Sequence, residues 1–102
     1  MPGFVRVLNV ADLQPGECRA VEVEGRQVAL FNVDGAVHAL SNTCPHRGGP
    51  LGEGDLDGKL VTCPWHSWEF DVTSGQCVNN PSATVPCYAV KIEGDTVLVE
   101  VG

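Results

Sequence analysis

Apolar and polar residues alternate with a period of two along most of this chain. Phe4 to Leu8, Val21 and Val23 against Glu22 and Glu24, and the run from Val28 to Val33 each read as a strand with a buried face. Val90 and Ile92 alternate with Lys91 and Glu93, and Val97, Val99 and Val101 share one face of a last strand. Glu24-Gly25-Arg26, Asp34-Gly35 and Glu93-Gly94-Asp95 separate these runs, and such steps between apolar segments predict tight hairpins. Only Ala11-Asp12-Leu13-Gln14, stopped by Pro15-Gly16, has the pattern of a helical turn. No internal repeat or low-complexity segment is present. The pattern predicts an all-β sandwich or small barrel.

Residues 41–87 break the rhythm, and hold five of the seven prolines, both tryptophans, four of the five cysteines and two of the three histidines. An irregular segment on a rigid strand scaffold is where function usually resides. Composition supports the strand reading, with sixteen Val against eight Leu, seven Ala and one Ile. A length of 102 residues predicts a single domain spanning 1–102, and 43% apolar with 19% charged residues argues against disorder.

Six basic against thirteen acidic side chains give a net charge of −7, with no basic stripe. Nucleic acid and anionic membranes are therefore not expected partners; the acidity suits a basic face on another protein, or simply solubility. The N-terminal residues lack the pattern of a signal peptide, and no run approaches the roughly 18 apolar residues of a membrane span. Five cysteines without an export signal read as thiols or metal ligands, and a cytoplasmic location is expected.

Two short segments carry the chemistry. Cys44-Pro45-His46 is a C-x-H arm and Cys63-Pro64-Trp65-His66 a C-x-x-H arm, with sixteen residues between His46 and Cys63. Thiolate and imidazole donors suit zinc or an iron–sulfur cluster, whereas calcium and magnesium want oxygen. Zinc sites tend to group Cys with Cys and His with His. Mixed arms suit a binuclear cluster in which each arm reaches both metals. A structural zinc site, in a colourless interaction module, is the alternative.

At these residues the chain resembles the Rieske family. The resemblance rests on Cys-Pro-His-Arg-Gly-Gly-Pro-Leu, then Cys-Pro-Trp-His, then Phe70-Asp71 and a Thr73-Ser74-Gly75 turn, and runs from about Phe4 to Val101. It implies an antiparallel β-sandwich with a smaller loop-rich cluster-binding subdomain over roughly 41–87. It also implies one [2Fe–2S] cluster, with Cys44 and Cys63 on one iron and His46 and His66 on the other. Neutral imidazoles leave less negative charge on their iron than thiolates do, so the added electron settles on the histidine side and reduction is easier than with all-cysteine ligation.

The resemblance to Rieske-type ferredoxins implies a monomeric one-electron carrier between an NAD(P)H-dependent flavoprotein reductase and a terminal oxygenase, and not an enzyme in itself. A second possibility is the Rieske-like small subunit of NADH-dependent nitrite reductase, working with a large subunit; that family often lacks the four ligands present here. With His46 and His66 committed, only His38 remains, too few for a mononuclear iron centre. Quinol-oxidising Rieske proteins add a disulfide and two hydroxyl donors to sulfur. Here Gly49 and Trp65 stand at the disulfide positions, and Trp68 and Phe70 at the donor positions. A potential near the bottom of the roughly −150 to +300 mV Rieske range is expected.

The remaining candidates read as structure. Gly48, Gly49, Gly52 and Gly54 lack the helix and the Lys-Ser or Lys-Thr pair of a phosphate loop, and suit tight turns. Trp65 and Trp68 suit shielding or packing, and Arg47 either meets a partner carboxylate or is solvated. Pro81 resembles the family's cluster-covering loop. Cys18, Cys77 and Cys87 read as buried or incidental thiols, and His38 as a strand residue.

Overall fold

The computed structural model describes residues 4–42, 51–64, 68–78 and 83–100. Within them the strands are β1 (Phe4–Asn9), β2 (Cys18–Val23), β3 (Arg26–Val33), β4 (Ala36–Ser41), β5 (Asp55–Asp57), β6 (Leu60–Thr62), β7 (Glu69–Asp71), β8 (Cys87–Glu93) and β9 (Thr96–Glu100). Six form one antiparallel sheet in the order β1-β9-β8-β4-β3-β2, and three form a smaller sheet in the order β5-β6-β7. The large sheet folds upon itself where the start of β8 pairs with β4 through Ala39–Tyr88 and Leu40–Cys87, while the rest of β8, from Ala89 to Glu93, pairs with β9. The expected antiparallel β-sandwich with a smaller subdomain is what forms.

The centre of the molecule is β3. Val28, Ala29, Leu30 and Phe31 are all fully buried, so beyond the exposed Arg26 and Gln27 the middle of this strand is a continuous apolar run with no solvent face. Val28 and Leu30 join Leu13, Val23, Val37, Ala39, Val97 and Val99 in the core of the sandwich. Ala29 and Phe31 point the other way, into a second core with Leu40, Leu51, Val61, Phe70, Val72, Cys77 and Val85. Burying side chains of this size stabilises by about 1.5–3 kcal/mol each, so β3 anchors both sheets.

The hairpins form where expected. Glu24-Gly25 and Asp34-Gly35 hold both central residues at positive φ (50° and 83°, 51° and 94°), as a type I′ turn requires. The expected helical turn is a 3₁₀ turn at Val10–Asp12, displaced toward the N-terminus because the Val10 N–H is taken by the Asp95 carbonyl and Leu13 turns inward. His38 lies in β4 opposite Phe31, half-buried. Val101 lies outside the described residues.

The stretch read as loop-rich contains β5, β6 and β7. Each is three residues long, too short to display a period of two, although Gly58-Lys59 joins β5 to β6 as a two-residue hairpin directly after Asp57. Gly54 enters this sheet so tightly that a Cβ there would collide with the Thr62 carbonyl oxygen. Gly54→Ala is expected to cost about 1–3 kcal/mol, read as a lower urea midpoint; an unchanged midpoint would show that this approach is not tight.

Candidate metal centre

Of the four expected ligands, Cys63 lies within the described structure; Cys44, His46 and His66 lie outside the described residues, as do Arg47, Gly48, Gly49, Trp65 and Pro81. Cys63 follows β6 directly and is 1% exposed. Val61 and Cys63 belong to the same apolar cluster, two residues apart as strand alternation requires to place both on the inner face. Position 68 stands opposite Cys63, because the Cys63 N–H donates to the Trp68 carbonyl at 2.7 Å. Trp68 packs against this cluster, and its ring lies 6.5 Å from that of Phe70.

Three backbone bonds close the ends of the segments that carry or flank the candidate ligands. The Leu51 N–H donates to the Asn42 carbonyl at 2.9 Å, across residues 43–50. The Cys63–Trp68 bond spans residues 64–67 in the same way, and the Cys77 N–H donates to the Ala83 carbonyl at 3.0 Å, across 78–82. Leu51, Cys63, Cys77 and Ala83 all meet in the core on the outer side of β3. The fold therefore brings the ends of the C-x-H arm, the C-x-x-H arm and the Pro81 segment to one cluster. Among the described residues no three Cys, His, Asp or Glu side chains form a metal-binding group.

Two of the other cysteines, Cys18 and Cys87, have their thiol pKa raised. Cys18 donates its S–H to the Gly54 carbonyl at 3.2 Å; burial pushes its pKa up, helped by Asp55 and Glu17. Partial burial, with Asp71 nearby, also raises that of Cys87, an exposed residue that fits the incidental thiol among the expected alternatives. Cys77 is buried and bridges to Phe70. A raised pKa disfavours the thiolate that metal ligation needs.

Comparison with known proteins decides the family. The Rieske [2Fe-2S] domain profile matches residues 3–89, most of the chain. The chain belongs to the Rieske family.

A ferredoxin component of the naphthalene 1,2-dioxygenase system of Pseudomonas aeruginosa is 34% identical over 98 residues, covering 95% of this chain and 94% of that protein. A complex of reduced oxygenase and oxidised ferredoxin in carbazole 1,9a-dioxygenase contains a chain 31% identical with a TM-score of 0.87, covering 94% of this chain and 91% of that one. A structure assigned as the small subunit of NADH-dependent nitrite reductase from Mycobacterium tuberculosis is 27% identical with a TM-score of 0.91, covering 100% and 97%. The cofactor of a Rieske domain is one [2Fe–2S] cluster, and the described structure fits it through a buried cysteine at a strand end and closed segment ends meeting on one core.

Asp71 shapes the third of these ends. Its carboxylate accepts the Thr73 hydroxyl at 2.5 Å and the Thr73 N–H at 2.8 Å, and pairs with Lys59 at 3.3 Å. Its carbonyl accepts the Gly75 N–H, turning the chain so that Cys77 meets Phe70. The Thr73 hydroxyl, with smaller help from the Thr73 N–H and Lys59, holds the Asp71 pKa below the usual carboxylate range. A lowered folded pKa contributes stability above the unfolded value near 3.9, lost as pH falls through the folded value. Thr73→Val is therefore expected to lose stability at neutral pH and to shrink its difference from the parent below about pH 4, read from urea midpoints across pH. A difference independent of pH would contradict this.

Proposed function

We propose that the cluster is held by Cys44 and Cys63 on one iron and His46 and His66 on the other, and that the chain is a one-electron carrier. It takes electrons from an NAD(P)H-dependent flavoprotein reductase and delivers them to a terminal oxygenase, acting as an electron-transfer component and not as a catalyst. The supporting observation is the near full-length match to a dioxygenase ferredoxin component, alongside the similarity to the ferredoxin in an oxygenase complex. A bound Rieske cluster accepts and releases one electron at a time. The chain supplies its two kinds of donor and keeps the buried Cys63 away from water. Among the described residues no helix is long and apolar enough to cross a membrane; the proposed working form is a cytoplasmic monomer.

The close structural likeness to a nitrite reductase small subunit supports a second reading. Co-purification with a large sirohaem-containing subunit would select it, and a protein isolated alone that passes electrons to an oxygenase would select the first.

Two substitutions set the electron's energy. Trp68 stands opposite Cys63 and Phe70 follows two residues later, completely buried, and neither side chain offers a hydroxyl to sulfur. A redox titration followed by electron paramagnetic resonance should show a Rieske signal that appears only at low potential. Phe70→Tyr should raise the midpoint by about 40 mV, the equivalent of one hydrogen bond to the reduced centre. Anaerobic NADH with a flavoprotein ferredoxin reductase should produce the same signal. A clearly positive midpoint would contradict the missing-donor account, and a colourless protein with no reducible centre after assembly with ample iron and sulfide would contradict the proposed function.

A further inference from the structure

One side chain joins the two ends of the first ligand segment. Asn42, just after β4, is 9% exposed, and its Oδ1 accepts the Gly52 N–H at 2.6 Å. Its carbonyl accepts the Leu51 N–H at 2.9 Å, and its own N–H donates to the Gln27 carbonyl at 2.9 Å. A single residue thus ties the point where the chain leaves β4 to the point where it returns, and both to the start of β3. Gly52 is buried and blocked from behind, since a Cβ on it would stand 2.7 Å from the Ala20 nitrogen of β2. It is wedged between the Asn42 amide and the β2 backbone.

We infer that Asn42 is a positioning residue for the cluster. By fixing Leu51 and Gly52 beside itself, it sets the span from which residues 43–50 present Cys44 and His46. The inference rests on the ligand assignment proposed above. Its physical basis is the side-chain bond, since the backbone bonds to Leu51 and Gln27 are open to any residue at this position. Removing the acceptor leaves the buried Gly52 N–H without its partner, so the end must shift to find another. A span that varies from molecule to molecule gives a cluster with varied ligand geometry and weaker retention.

The test uses the cluster-loaded protein and two variants with the same branched side-chain skeleton. Asn42→Leu removes the acceptor; Asn42→Asp keeps an Oδ1 acceptor whether or not the carboxyl is ionised. The expected result for Asn42→Leu is a broadened Rieske resonance, with iron lost to a chelator roughly five- to tenfold faster, the factor that corresponds to one net hydrogen bond. Asn42→Asp should restore both linewidth and lifetime. Equal linewidth and lifetime in Asn42→Leu and the parent would overturn the inference, as would an Asn42→Asp protein no better than Asn42→Leu. Hydrogen exchange followed by mass spectrometry on the unaltered loaded protein decides the matter even if Asn42→Leu does not fold. There the Gly52 amide must exchange slowly, and exchange at the rate of an unfolded chain would overturn the inference. Absence of a Rieske resonance from the unaltered protein would instead overturn the ligand assignment itself.

Discussion

Everything in this structure depends on β3 being buried on both sides. An ordinary sandwich strand shows one face to a core and the other to water, and its sequence alternates accordingly. Here Val28 and Leu30 fill the sandwich while Ala29 and Phe31 build a second core on what would otherwise be the solvent face. That second core needs a cover, and the small sheet supplies it through Val61 and Phe70, with Val72 just beyond β7. Three strands of three residues would not be stable alone. They persist because Phe31 and Leu40 give them an apolar surface on which to lie.

The function follows from where this second core stops. Cys63 lies in it at the end of β6, and Leu51 and Cys77 lie in it at the ends of other segments. The hydrogen bonds Leu51–Asn42, Cys63–Trp68 and Cys77–Ala83 convert hydrophobic packing into fixed end-points for the chain around the candidate ligands. A redox centre benefits from such preorganisation, because ligands held in place need little rearrangement when the electron arrives. Fold stability and electron-transfer chemistry thus draw on the same buried residues.

Much of this was legible in the sequence. The long strands declare themselves by alternation, and two hairpins by the acid–glycine steps that put both central residues at positive φ; β3 reads as a strand with one buried face, whereas the second core buries its other face as well. The candidate ligands stand out because Cys and His sit together in mixed arms at a distinctive spacing. What stayed hidden has physical reasons. Strands of three residues carry less than two periods, so β5 to β7 dissolved into an apparent loop. The clamps at the segment ends are mostly backbone bonds, which impose no residue type. Asn42, the exception, is an unremarkable asparagine until Gly52 is seen to donate to it. Gly52 and Gly54 lie in and just after the tight turn at Leu51–Glu53, as expected, and the close approaches they make to β2 and β6 appear only in three dimensions.

The central claim is that this frame presents two thiolates and two imidazoles to one binuclear centre. Pulsed electron paramagnetic resonance on the reduced protein, with its histidines labelled by heavy nitrogen, tests it most directly. The account predicts strong coupling of the electron spin to the ring nitrogens of both His46 and His66, lost one at a time on substitution of either. A reduced centre with no strongly coupled histidine nitrogen would mean ligation without imidazole, and would contradict the account.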